Sequence, residues 1–525
     1  MFNIQNYSRQ NIKNDILSGA VVAVALVPEA IAFSFIAGVS PVVGLYAAFI
    51  IGLITSIFGG KPGMISGATG AVAIVFVSMG ISVAELNPDI GKEALSMLIL
   101  HYILFASIVA GIFQVIVGLL KLGKFIRLVP QPAMFGFVNG LAIVIALAQF
   151  KFFAPSMETK GFMATLQASF AEHSMMYALT LVTMLIMYFL PKVSKAVPSG
   201  LVAIVALTVF VYMTGMDTKL VGDLADLSNV SMPSFVMPNM SLFSLESLYI
   251  IIPTAILVGL VGLIESLLTL SVLDEMSGTR GSGNKECIAQ GAGNICSGLF
   301  GGMAGCAMIG QSIINYTSGG LGRLSSLIAA TLLITLVVAF SDIIAIIPVA
   351  VLVGIMFMVS IGTFEFSSIR RIKHMPRADA FVLATVTVVT VFEDLAIAVI
   401  AGIIISALVF AWEHAKIYAK TSISPNGRKI YELNGPLFFA SVASFYEQFD
   451  VENDPEEVVI DFKDARVMDS SGSEAIDIIT EKYKEAGKKL TLRHLSKDCK
   501  KVLKVAGPFC SYEEDDPTYK VAHNI

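Results

Sequence analysis

The sequence predicts a polytopic α-helical membrane protein, with fourteen spans in two inverted halves of seven and a small α/β domain after them. Three observations carry this prediction. Of the 525 residues, 55% are hydrophobic and only 14% charged, and the mean hydropathy is +0.78. A soluble protein of this size needs far more charged surface, so most of the chain faces lipid. Apolar stretches near the length of about 20 residues that a crossing requires recur as far as Trp412, and beyond it the composition is that of a soluble domain. Finally, the glycine-rich stretch Phe300–Asn315, FGGMAGCAMIGQSIIN, has an echo at Phe58–Gly63, FGGKPG. Each copy follows an apolar span and leads through small residues into a short apolar run. Paired, glycine-broken segments of that kind mark the binding site of a secondary transporter.

The N-terminal MFNIQNYSRQNIKND is polar, and the first span follows it without a small-residue cleavage site, so that span reads as a retained helix and not a signal peptide. Spans are expected near 15–37, 41–58, 94–120, 126–150, 173–190 and 197–215, with a shorter one at 66–80. An acidic loop at 216–246 separates them from a second set near 248–272, 286–302, 323–340, 343–362, 378–391 and 394–412, with a short one at 309–319. The membrane domain is thus 1–412, with repeats at about 15–215 and 248–412.

Loop charges agree with this count. With the N-terminus inside, the connections on that side hold Lys121, Lys124, Arg127, Lys192 and Lys195, then Arg280, Lys285, Arg323, Arg370, Arg371, Lys373 and Arg377. The opposite connections hold Asp217, Asp223, Asp226, Glu246, Asp342, Glu393 and Asp394. Lysine and arginine concentrate on one side, as the positive-inside rule requires, with Lys151 and Lys160 as exceptions. An odd number of spans in each half inserts the second half upside down. The spacing Pro-x5-Gly also repeats, at Pro130–Gly136 and Pro348–Gly354, and an acid lies within the first span, Glu29, and the eighth, Glu265. The small net charge of −5 and the lack of a basic patch give no sign of a nucleic-acid partner.

Glu265 is the most informative residue. It lies mid-span in LVGLVGLIESLLTLSV, where an unpaired charge costs several kcal/mol, so it is a functional candidate by default. Thr269 is one helical turn further on the same face. A carboxylate with a hydroxyl suits a sodium ion, which takes oxygen ligands, or a titrating proton site. Glu29 follows Pro28, which is expected to break the first span and free a backbone carbonyl, and Phe33 one turn on can wall a pocket. Ser66–Ala71 and Met308–Ser312 are candidate half-helix starts, whose first N–H groups lack internal partners and carry the positive end of the dipole. Small residues let an anion approach those amides, and Thr69, Gln311 and Ser312 add side-chain donors. Cys287, Cys296, Cys306, Cys499 and Cys510 form no CxxC pair or zinc spacing. The membrane part has no nucleophile–base pair, metal-ligand cluster or Walker loop, so neither an enzyme nor a bound cofactor is expected.

After Trp412, Glu432–Ala443 and Val458–Phe462 read as strands, Ala475–Ala486 as a helix and Lys489–Leu492 as another strand, an alternation that predicts α/β structure at 426–525 after a linker at 413–425. Asp469-Ser470-Ser471-Gly472 precedes the helix. Ser470 or Ser471 is expected to cap it, and a phosphate on either serine would sit in a favourable dipole.

DILSGAVVAVALVPEAIAF, GVSPVVGLYAAF, FGGKPGMISGATGAV, LVPQPAMFGFVNG, FGGMAGCAMIGQSIIN and PRADAFVLATV together resemble the SulP (sulfate permease) family of anion transporters, and the resemblance covers nearly the whole chain. The tail YELNGPLFFASV…VVIDFKDARVMDSSGSEAI resembles that family's cytoplasmic STAS domain. The resemblance implies a fold shared with nucleobase transporters, a core domain that moves against a gate domain, and substrate between the third and tenth segments. It implies a site of Glu29, Phe33, Thr69, Gly70, Ile309, Gly310 and Gln311, with Ser312 beside it. Glu265 and Thr269 match an acidic coupling site that binds Na+ in sodium-dependent bicarbonate members. It further implies a homodimer, a STAS domain that binds cytoplasmic regulators and is phosphorylated at a serine of DSSG in anti-sigma-factor antagonists, and an inner-membrane location with both termini cytoplasmic.

Two positions depart from the family pattern. Many members place an arginine where Gln311 stands and a glutamine where Glu29 stands. One positive charge fewer and one carboxylate more make a bare anion less welcome, so Na+- or H+-coupled uptake is expected over plain exchange. The substrates in view are bicarbonate, sulfate and dicarboxylates. The rivals are a nucleobase or other neutral-substrate carrier, for which Gln311 and Glu265 could pair a heterocycle, and a regulatory STAS module on a membrane anchor.

Overall fold

The computed structural model describes residues 9–123, 131–154, 162–193, 199–224, 231–236, 244–392, eight residues between 401 and 411, 415–503 and 511–512. It divides into two compact units, Met1–Ile403 and Ile404–Ile525. Pro130, Trp412, Cys510, most of the expected span 394–412, and the loop charges Lys124, Arg127, Lys160, Lys195, Asp226, Glu393 and Asp394 lie outside the described residues.

In the first unit the helices are α1 (Arg9–Ala37), α2 (Pro41–Phe58), α3 (Gly70–Leu86), α4 (Lys92–Leu119), α5 (Gln131–Gln149), α6 (Phe162–Val193) and α7 (Ser199–Thr214). After a four-residue turn of helix, α8 (Val221–Leu224), the second half follows as α9 (Leu245–Ser277), α10 (Gly283–Leu299), α11 (Ile309–Thr317), α12 (Arg323–Ala339), α13 (Ser341–Ala345), α14 (Val349–Thr363), α15 (Phe366–Arg371) and α16 (Arg377–Phe392). Seven of the described helices are long and apolar enough to cross a membrane, and α3, α7 and α12 are shorter apolar helices. The expected break at Pro28 is absent, since α1 runs through it as one helix. A proline removes a single ladder bond, and in a membrane helix its neighbours re-satisfy the freed carbonyl.

The packing obeys the inverted repeat. The α1–α12 contact is mirrored by α9–α4, α2–α12 by α10–α4, α3–α9 by α11–α1, and α5–α16 by α14–α6. Two bundles result: a core of α1–α4 with α9–α12, and a gate of α5–α7 with α14 and α16. The antiparallel α4 and α10 touch through small residues. A Cβ on Gly111 would lie 2.5 Å from Gly291 O, and one on Gly291 2.5 Å from Gly111 O. Without a hydrophobic drive between helices in lipid, such backbone proximity is what association rests on.

The second unit is a five-stranded sheet, ordered β3 (Tyr418–Ile423), β4 (Lys429–Leu437), β5 (Glu457–Val467), β6 (Lys489–Arg493) and β7 (Ser511–Tyr512). Helices α17 (Val442–Tyr446), α18 (Ser470–Glu485) and α19 (Lys497–Leu503) accompany it. Its core gathers Tyr431, Phe445, Ile460, Phe462, Ile476 and Tyr483. One boundary needs correction. The segment read as a linker, 413–425, contains β3, which pairs antiparallel with β4. Its residues are largely exposed, so this edge strand has no apolar alternation to announce it; the signal was the Ser424–Gly427 turn, with Gly427 at φ +79.

Candidate functional site

The two glycine-rich stretches meet in the middle of the core bundle. Each runs extended for a few residues, and these pair antiparallel as β1 (Ser66–Gly67) and β2 (Cys306–Ala307), Ser66 opposite Ala307 and Gly67 opposite Cys306. The crossing needs bare backbone, because a Cβ on Gly305 would lie 2.0 Å from Gly67 O. A polar stripe on α10 holds it: Gln290 Nε2 donates to Ser66 Oγ at 2.7 Å, Asn294 bonds both Gly305 N (2.9 Å) and Gly305 O (3.1 Å), and Ser297 Oγ donates to Met303 O at 2.7 Å. Glu286, Gln290 and Asn294 recur every fourth residue and are all buried, a helical spacing legible in the sequence but not used in its reading.

Beyond the crossing each strand turns into a helix, α3 after Thr69 and α11 after Met308. Neither residue caps its helix with a side-chain hydrogen bond. The first N–H groups of two helices therefore converge on one point without side-chain acceptors, and their dipoles add there.

A cavity of about 150 Å³ lies at that point, comparable to one that accommodates a single small ring. Glu29 and Phe33 of α1, Thr69 and Gly70, and Ile309, Gly310 and Gln311 line it, together with Glu265 of α9. The structure thus brings together seven residues expected at the substrate site, and Glu265. It does not bring in Ser312, whose fully buried Oγ accepts from Ile65 N at 3.0 Å and pins the entry to β1. Nor does Thr269 line the cavity; its hydroxyl donates to Glu265 O at 2.8 Å and reaches Ala307 O at 3.4 Å. Sequence reasoning missed the gate wall: Phe137, Val138, Leu141 and Ile145 of α5, and Val359 and Thr363 of α14. Their signal was the helical spacing that follows each Gly of the Pro-x5-Gly pair.

The charges are unusual for an anion site. No lining residue is basic. Glu29, 8% exposed, accepts from Gln311 Nε2 at 2.6 Å. Glu265 Oε2 accepts from Cys306 Sγ at 2.7 Å, and Thr69 Oγ1 lies 3.1 Å from that sulfur. Lys61, buried in the loop after α2, is engaged elsewhere, donating to Asp274 Oδ1, Ser277 Oγ and Thr279 O at 2.6–2.7 Å. The cavity therefore offers two positive helix ends and two carboxylates. Among the described residues no three of His, Cys, Asp and Glu cluster as metal ligands.

In the second unit the expected serine cap is corrected. Asp469 is the N-cap of α18, its Oδ1 accepting from Gly472 N at 2.9 Å and its Oδ2 from Phe439 N at 2.9 Å. Ser470 and Ser471 already lie inside the first turn, where a side chain cannot reach the free amides, and Ser470 is exposed.

Opposed helices of an inverted repeat, meeting at a cavity with buried acids, are the arrangement of a membrane transporter. The comparisons with known proteins agree. The Sulfate permease family matches residues 12–387 and the STAS domain residues 418–521, and the chain belongs to the sulfate permease family, one of membrane anion transporters and not of enzymes. It is 43% identical over 495 residues to YbaR of Bacillus subtilis (strain 168), covering 94% of this chain and 97% of that one. It is 29% identical to the bicarbonate transporter BicA of Picosynechococcus sp. (strain ATCC 27264 / PCC 7002 / PR-6), covering 89% and 86%. The transmembrane domain of a cyanobacterial BicA superposes with a TM-score of 0.64 at 30% identity, covering 75% of this chain and 98% of that one. The murine Solute Carrier 26 family member A9 anion transporter, in its inward-facing state, shares the fold with a TM-score of 0.81 at 17% identity, covering 97% and 89%.

Proposed function

We propose that this protein is a secondary active transporter of a small anion, with bicarbonate, sulfate and dicarboxylates as the candidates, and that a cation, Na+ or H+, travels with it. The observation that carries the reading is the convergence of the uncapped N-termini of α3 and α11 on one cavity that also holds Glu29 and Glu265. Backbone amides and helix dipoles attract an anion without demanding one particular shape. With no basic residue at the cavity, two carboxylates oppose that attraction, and an accompanying cation removes the conflict. The sulfate permease match and the likeness to BicA support the choice of anions. The two bundles meet across the cavity wall of α1, α3, α5 and α14 and where α1 touches α7, which suits an elevator-type motion of the core against the gate. The positive-inside count supports a plasma-membrane protein with both termini cytoplasmic. A homodimer and a STAS domain that binds regulatory proteins complete the proposal.

The test is uptake of labelled bicarbonate, sulfate and dicarboxylates into vesicles, with and without Na+ and pH gradients, in the wild type and Glu265→Gln. Uptake of one anion that responds to a gradient and falls in the variant is expected. Uptake indifferent to both gradients and to the variant would sink cation coupling, and competition by uracil or xanthine in place of anions would favour a neutral-substrate carrier. Trans-stimulation without any gradient would identify an exchanger. Deleting 426–525 separates the roles of the two domains: transport that survives makes the STAS domain regulatory.

A further inference from the structure

The reading of Glu265 as the acid that brings a cation along with the anion raises the question of which cation, and a residue just behind the cavity bears on it. Cys306 is wholly buried in β2, opposite Gly67 of β1. Its thiol donates to Glu265 Oε2 across 2.7 Å, and Thr69 Oγ1 lies 3.1 Å from the same sulfur. The strand cannot swing this thiol away. Ala307 N, the next amide, donates to Ser266 Oγ at 3.0 Å, and Ala307 O receives the Thr269 hydroxyl at 3.4 Å. Two residues that follow Glu265 on its helix, Ser266 and Thr269, thus lock the sulfur against its carboxylate.

Sodium is a hard cation that seeks a shell of oxygens, as other hard cations do. Around Glu265, Oε2 accepts from the thiol, and the Thr269 hydroxyl points its hydrogen at a backbone carbonyl. At the place where a further oxygen ligand is needed stands sulfur, a weak and soft acceptor, with its hydrogen turned toward the carboxylate. A cation approaching Oε2 from that side meets an S–H hydrogen. On this face of Glu265 the residues do not fit sodium.

We propose that Cys306 keeps Na+ off Glu265, so that this position selects the coupling cation and Na+ is not the ion that travels with the anion. Serine at the same point keeps the donor and the size class but supplies a hard oxygen with free lone pairs; alanine supplies neither.

The proposal rests on the anion-transport reading, and its test separates the two. Full-length wild type, Cys306→Ser and Cys306→Ala are compared in proteoliposomes for uptake of labelled bicarbonate and sulfate, at equal pH on both sides, with an inward Na+ or choline gradient. Melting in detergent is followed in NaCl against choline chloride, since a bound ion stabilises the folded state whether or not transport occurs. In the wild type and the alanine variant, uptake and melting temperature are expected to be the same in Na+ and choline. In the serine variant Na+ raises both, with half-saturation at a Na+ concentration at least about ten-fold lower than any wild-type effect, the scale that a gained ligand contact produces. Wild-type uptake that collapses in choline, or a folded serine variant as indifferent to Na+ as the wild type, overturns the proposal. If the folded protein takes up neither of these anions nor a labelled dicarboxylate, the transport reading has failed, and the Na+ effect on melting still decides the role of Cys306.

Discussion

Gly310, the second residue of α11, offers a direct test of the cavity. A Cβ built there meets nothing within 4 Å, so a side chain would project into open space. That space is about 150 Å³ and is where the amides of α3 and α11 converge. An alanine methyl fills roughly one water's share of it, about 30 Å³, and a valine side chain about three times as much, over half the cavity. The added Cβ disturbs none of the protein's own packing, and glycine is not required by any positive φ at this position. The cost therefore falls on the substrate, which must be squeezed or held away from the amides. Overpacking a well-fitted site costs about 1–3 kcal/mol, or about 5- to 150-fold in apparent affinity. The assay is the initial rate of anion uptake into proteoliposomes across a range of substrate concentrations, with melting temperature in detergent measured in parallel. Gly310→Ala is expected to raise KM at the low end of that range and Gly310→Val at the high end, with melting unchanged. A Gly310→Val protein that melts normally and transports with wild-type KM would refute the placement of substrate at these helix ends. Gly70→Ala is the informative contrast. Its Cβ would lie 2.9 Å from both Ile145 Cδ1 and Phe33 Cε1, so it is expected to disturb the cavity wall and lower melting as well.

Three further outcomes follow from other parts of the molecule. Lys61→Met strips the partner from Asp274, to which Lys61 binds at 2.7 Å with side chains only 6% and 20% exposed. Orphaning a charge of that kind costs about 3–5 kcal/mol, so melting should drop sharply and recover in part when Asp274→Asn is added; no recovery would mean that the pair is not what holds the loop. In the STAS unit, Asp469→Ala should cost about 1 kcal/mol in urea unfolding, whereas Ser470→Ala should stay within about 0.5 kcal/mol. The reverse ranking would restore the serine cap. Asp461 tests the acid limb of that unit. Burial pushes its carboxyl up, but hydrogen bonds from His494 and Arg493 outweigh it and hold it below the usual carboxylate range. A carboxyl lowered in the folded state adds stability that is present above its unfolded value of about 3.9 and is lost as pH falls through and below that value. The isolated unit, 404–525, has its own core, and its wild type should lose more stability between pH 7 and pH 3 than Asp461→Asn does. Equal losses would show that the cluster carries no such linkage.

The spans were legible in the sequence because lipid forces each crossing into a long apolar run, and α2 coincides with its expected bounds of 41–58. The crossing of β1 and β2 was legible as a pair of glycine-broken segments for the same reason: irregular backbone inside a membrane is tolerated only where protein or a cavity surrounds it. Other features left weaker marks. Thr69 was expected as a donor to the substrate, and its hydroxyl instead lies against Cys306; no spacing could show that, since the two are far apart in sequence and meet only through strand register. Ser312 sits one residue beyond Gln311 and looked equivalent to it, yet helical rotation turns it away from the cavity and onto Ile65.

By itself, the amino-acid order determined the membrane class, the inverted repeat, the family and the elements that end at the site, because those depend on periodicity and on residue types at local spacing. Tertiary structure alone decided which side chains share the cavity, that its gate wall is largely apolar, and that a thiol stands against Glu265. Those are relations between segments whose sequence separation runs to hundreds of residues, as for Glu29 and Gln311. Each is set by the rotation of a helix about its axis and the register of a two-residue strand pair, and neither quantity is written in any one stretch of the chain.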